Sequence, residues 1–298
     1  MTAMYSRLFV LIAIFCACNS TPEKNKPSKE ATLEKNNGNI FSYDLAHPQR
    51  KWALPEELKE ISGQTWVDNN HLLAIEDLHP VLYLLRLDSN IAVEKTFPFQ
   101  EITNKKFDME DIAVVADTAY ALWSHGTIYK ITDWQNRPQV EEFPTSLSKE
   151  NNTEGLCFDP VSKKLLIACK NESDLKGEKK STRSIFEFDL KTNILNDTPF
   201  LVINKKDFKK VADEKLLFFP SAIAVHPVTH DIYILSTKDN KCMARYNYDG
   251  ELQSLQFFDK DLMPQPEGIC FSPDGTMFIS SEGRHGEPPA IFEFRNTK

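Results

Sequence analysis

The sequence predicts an all-β fold, a single five-bladed β-propeller whose last blade is closed by an N-terminal strand. Three observations carry this. A six-residue phrase occurs five times: Ile61-Ser62-Gly63-Gln64-Thr65-Trp66, Met109-Glu110-Asp111-Ile112-Ala113-Val114, Thr153-Glu154-Gly155-Leu156-Cys157-Phe158, Pro220-Ser221-Ala222-Ile223-Ala224-Val225 and Pro266-Glu267-Gly268-Ile269-Cys270-Phe271. Its copies lie 48, 44, 67 and 46 residues apart, the repeat length of a propeller blade. Between copies come short apolar runs rich in Val, Ile, Leu and Tyr, broken by Asp, Asn, Gly and Pro, as in antiparallel meanders.

The first repeat gives strands at Ser62–Val67, Leu72–Ile75, Val81–Leu87 and Ala92–Phe97. The second gives Asp111–Val115, Ala119–Trp123, Thr127–Ile131 and Gln139–Phe143. The third gives Gly155–Phe158, Leu165–Cys169, Ser184–Asp189 and Pro199–Ile203. Its long spacing to the fourth is taken up by a charged loop at Asn171–Arg183 and a surface helix at Lys205–Lys215. The fourth gives Ala222–His226, Ile232–Leu235, Met243–Tyr248 and Leu252–Phe257. The fifth supplies only Gly268–Phe271, Met277–Ser280 and Ala290–Arg295. A blade short of one strand leaves a raw sheet edge, and Phe41–Leu45 or Trp52–Leu54 is free to fill it.

Ahead of the propeller, assigned to residues 41–298, Arg7 precedes ten apolar residues, Leu8 to Ala17. That is too short to span a bilayer and right for a signal peptide. Phe15-Cys16-Ala17-Cys18 resembles the processing site of bacterial lipoproteins. Residues 1–17 are therefore expected to be removed and Cys18 lipidated, placing the protein at a bacterial membrane. Residues 18–40 are polar and charged, a flexible tether that holds the domain roughly 25 Å from the lipid.

The net charge of −8 and the lack of a basic cluster argue against a nucleic-acid partner. Cys157, Cys169, Cys242 and Cys270 show no metal-ligand spacing; Cys157 and Cys270 fill a repeat position for a small buried residue. His226 and His230 flank a hairpin turn and are expected to be structural.

The first position of the phrase, on the innermost strand of each blade, places Ser62, Glu110, Glu154, Ser221 and Glu267 around one mouth of the central channel. Three converging carboxylates raise one another's pKa. A hard cation resolves this, and calcium, with six to eight oxygen ligands, is the expected cofactor, held by Glu110, Glu154 and Glu267. The loops between second and third strands open on the same face. With Ser62 and Ser221, their residues Glu76, Asp77, His125, Lys170, Glu282 and Arg284 form the expected site for an unknown small-molecule or protein ligand. His79, Ser124, Lys238, Asp239 and His285 stand in the same loops. No nucleophile elbow or triad is present.

From Trp52 to Phe294 the chain resembles the SdiA-regulated family (YjiK-like proteins), bacterial five-bladed propellers distantly related to NHL-repeat propellers. The resemblance rests on Glu60-Ile61-Ser62-Gly63, Asn152-Thr153-Glu154-Gly155-Leu156, Pro220-Ser221-Ala222-Ile223-Ala224-Val225-His226-Pro227 and Gln265-Pro266-Glu267-Gly268-Ile269. It implies a periplasmic or surface propeller with a calcium site, and supplies no reaction. Gln64 departs from the pattern, standing where the repeat has a branched apolar residue. The expected function is a membrane-anchored binding or scaffolding module. The alternative is a calcium-dependent lactonase-like or phosphoesterase-like hydrolase, with Glu282, His125 or His285 as base.

Overall fold

The computed structural model describes residues 30–32, 42–101, 106–172, 182–209, 216–284 and 286–297. Cys18, residues 1–17, most of the 18–40 stretch and His285 lie outside the described residues. Of the predicted helix, Lys205–Phe208 is helical, capped by the Asn204 side chain on Lys206 N, and residues 210–215 lie outside.

The five repeats are five antiparallel sheets. Blade one is Ile61–Asp68, His71–Glu76, Val81–Arg86 and Ala92–Pro98; blade two is Met109–Val115, Thr118–Trp123, Ile128–Thr132 and Gln139–Phe143. Blade three is Thr153–Asp159, Lys164–Cys169 and Thr182–Asp189, the last paired with both Ile194–Leu195 and Leu201–Asn204. Blade four is Pro220–Val225, Ile232–Ser236, Cys242–Tyr246 and Leu252–Phe257, with Glu30–Thr32 as a fifth, outermost strand. A piece of the expected tether is thus paired backbone. Blade five is Pro266–Phe271, Met277–Ser281 and Ala290–Phe294, completed by Arg50–Ala53 in register Arg50 to Glu293 and Trp52 to Ile291. The innermost strands pack side by side around the ring, blade five against blade one.

The closing strand is therefore the one containing Trp52. The upstream candidate does different work: Tyr43 and Leu45 are buried in the seam between blades four and five. There the Tyr43 hydroxyl donates to Gly275 O (2.6 Å) and meets His226 Nε2 at 3.0 Å, while His226 Nδ1 accepts from Val228 N and Thr229 N. Burial lowers the His226 pKa to about 4, so the ring is neutral at pH 7 and serves structure, as the sequence suggested.

Each seam holds its own apolar cluster, five in all. The period of two along a strand explains how one strand serves two seams. In blade one's second strand, Leu72 and Ala74 face blade five, and Leu73 and Ile75 face blade two. The small residue after the first phrase position is required by the approach of neighbouring inner strands. A Cβ on Gly155 would lie 2.9 Å from Ile223 N in blade four. Gln64 is buried too, and its Nε2 donates to Phe278 O of blade five at 3.3 Å. The polar departure in the repeat is thus a cross-seam hydrogen bond. All four described cysteines are free, and only Cys157 is not fully buried.

Candidate functional site at the channel mouth

All five inner strands share one irregularity. The pairing register shifts between Ile61 and Gly63, Met109 and Asp111, Thr153 and Gly155, Pro220 and Ala222, and Pro266 and Gly268. The residue skipped each time is Ser62, Glu110, Glu154, Ser221 or Glu267. A bulged residue leaves the ladder and its side chain is re-aimed, so the first phrase position is a repeated bulge that turns one side chain per blade out of the pleat.

Electrostatics bring the three glutamates into one group. Burial pushes Glu110 well above the carboxylate range, with Glu154, Asp108 and Glu267 adding to the shift. Burial and then Glu154 do the same for Glu267. Glu154 is raised by burial but held down by Lys170, whose Nζ lies 2.9 Å from its Oε1, and by the Asn152 side-chain amide. The Lys170 pKa is raised although burial opposes it, because Glu154, Glu267 and Glu110 all face the ammonium. Lys170 is therefore the internal counter-ion of the channel. The loop position that carries it was legible; this role was not.

The serines are occupied as donors, Ser62 Oγ to Ile75 O (3.3 Å) and Ser221 Oγ to Pro266 O of the next blade (3.4 Å). Each keeps lone pairs for a ligand. Glu76 is committed to its own loop, accepting from Leu78 N and meeting His79 Nδ1 at 2.6 Å. Buried as it is, it shapes the loop rather than facing a ligand. Asp77 differs. Burial first, then Glu76, Glu60 and Asp108, lift its pKa to about 7, and its Oδ1 has no hydrogen-bond partner. Glu282 is also pushed to about 7, by burial and Glu60, against the pull of Arg284, whose Nε is 3.7 Å away. Arg284 is half exposed at the rim. His125 stacks flat on Trp123 (4.7 Å, 13°) and does not join the carboxylate group.

Sequence reasoning passed over Asp108, which accepts from Ser124 Oγ at 2.7 Å and raises both Glu110 and Glu154. Its signal was its place two residues before Glu110, on one side of an extended strand.

The donors suit a hard cation, since all are oxygen and two carboxylates lack a paired cation. Among the described residues, however, no three His, Cys, Asp or Glu side chains come together closely enough to hold a metal ion. The spacing is that of a site already occupied by a lysine ammonium.

Among solved structures the chain is similar to glutaminyl cyclase from Myxococcus xanthus, at 13% identity and TM-score 0.54 over 84% of this chain and 95% of that one. It is also similar to the PQQ-bound aldose sugar dehydrogenase of Streptomyces coelicolor, at 12% identity and TM-score 0.51 over 84% and 97%. At such identities these likenesses show the propeller fold alone. No curated protein matches the chain in sequence. The family model for SdiA-regulated proteins matches residues 47–292, and the chain belongs to the SdiA-regulated family.

Proposed function

We propose that this protein is a lipid-anchored binding module of the cell envelope, tethered at Cys18, whose channel mouth takes calcium and through it an external ligand. The observation that carries this reading is the charge balance in the channel: Glu110, Glu154 and Glu267 share one ammonium, that of Lys170. Calcium would be held by these three carboxylates with Ser62, Ser221, backbone carbonyls and water. It would compete with Lys170 for Glu154. The ion supplies charge that ties blades two, three and five together at the mouth.

Calorimetric titration with calcium chloride should show binding, together with a rise in melting temperature. Both should vanish in the Glu110→Gln, Glu154→Gln, Glu267→Gln triple variant. A parent protein whose calorimetry and melting temperature ignore millimolar calcium would end the proposal.

Asp77 and Glu282, both near 7, favour a second reading. Carboxylates poised there at a channel mouth suit a general base, so hydrolysis of a lactone or phosphoester is the competing function. Turnover of such substrates, lost in Glu282→Gln, would displace the binding reading.

A further inference from the structure

At the end of the ring opposite the mouth, over the seam where blade five meets blade one, lies a cavity of about 310 Å³. This is the lower end of the size range of small-molecule sites, about 300–1,000 Å³. It goes beyond the calcium reading and shares no residue with it. Its floor is aromatic: Trp66, only partly buried, stacks on Phe278 (5.6 Å, 29°) with Leu87 beside it. One wall is the closing strand and its partner, with Arg50, Glu293 and Arg295. The other is the blade-five hairpin turn around Asp274.

The hydrogen-bonding capacity left over decides the ligand class. Glu293, 4% exposed, is already occupied, with Arg295 Nε at 2.7 Å and Arg50 Nε at 3.8 Å. Asp274 accepts from Ser272 Oγ (2.5 Å) and Thr276 N (3.0 Å), which hold its pKa below the ordinary value. Both carboxylates are thus spent as acceptors, while each guanidinium uses its Nε on Glu293 and keeps its terminal nitrogens. Unspent guanidinium donors select an anion, in forked geometry a carboxylate. The walls are polar and the floor is a flat indole, which suits a ring with one apolar face and a polar edge better than a wholly apolar compound.

We propose that this cavity is a saccharide site selective for uronic acids. The sugar ring lies on Trp66 and its carboxylate faces Arg50 and Arg295. Digalacturonate and glucuronate are the probes, with lactose as the neutral control, read by calorimetry and by the fluorescence of the cavity tryptophan. Binding of at least one uronic-acid probe is expected, with lactose at least tenfold weaker. Arg50→Ala and Arg295→Ala should each weaken that binding tenfold or more without moving the melting temperature, because both side chains are more than half exposed. Lysine at either position should fall between, keeping charge but losing the fork. The assignment is overturned if neither uronic-acid probe binds, if lactose binds equally, or if the alanine variants bind as the parent does.

Discussion

Replacing Asp111 with alanine is expected to destabilise the fold by about 2–5 kcal/mol, the cost of stranding two buried backbone donors at about 1–3 kcal/mol each. Asp111 is 1% exposed and stands in the phrase where other blades carry glycine or alanine. Its carboxylate accepts from its neighbour's amide, Ile112 N (2.8 Å), and from Leu156 N of blade three (2.7 Å). The first is an amide beside the Glu110 bulge; the second is a tie between inner strands. On its other side, a Cβ on Gly63 would lie 2.2 Å from the Asp111 Oδ1. One side chain therefore bridges the inner strands of blades one, two and three. Burial pushes its pKa well above the ordinary value while the two amides pull it down. Among the described residues no ion pair reaches it. Asparagine keeps one acceptor and sets an amide donor against the other N–H, so Asp111→Asn should cost less than alanine but remain destabilising. Urea midpoints of the three proteins test this. An alanine variant within 1 kcal/mol of the parent would mean that water satisfies both donors and that the tie contributes little.

The ring was legible because its cause is local and repeated. Five apolar–polar phrases at blade-length spacing fix the inner strands, and alternation such as Leu72-Leu73-Ala74-Ile75 can bury both faces only in stacked sheets. The closing strand was legible as a missing partner. What sequence could not supply was pairing across the join. Arg50 and Arg295 flank Glu293 only because the first and last strands of blade five are neighbours, and neither arginine carries a local signal. Asp111 read as a small-residue variant, since its partner Leu156 belongs to the next repeat. The site was half visible. Repetition placed the glutamates at one mouth, but whether an ion or a side chain balances them depends on how far Lys170 reaches, which its loop position does not reveal.

Lys170→Met turns that distinction into a measurement. Methionine keeps the apolar stem and removes the charge, leaving Glu110, Glu154 and Glu267 without a cation at neutral pH. Breaking a fully buried pair costs about 3–5 kcal/mol. Lys170 is 24% and Glu154 7% exposed, so water screens part of this and about 2–4 kcal/mol is expected at pH 8. The pH dependence carries the proof. The folded pKa values of these carboxylates are raised above the ordinary 4.5. The folded state therefore binds protons that the unfolded state has released, and stability falls as pH rises above about 4.5. Without Lys170 that fall steepens, so the difference between variant and parent should shrink to within about 1 kcal/mol at pH 5 as the cluster takes up protons. Adding Glu154→Gln should recover most of the loss at pH 8. Denaturant midpoints at the two pH values decide it: an equal loss at both would make Lys170 a packing residue and remove the charge argument. If calcium takes the place of the ammonium, Lys170→Met should also bind calcium at least tenfold more tightly than the parent, because the ion no longer displaces a lysine from Glu154. Weaker binding would instead make Lys170 part of the ligand shell's support.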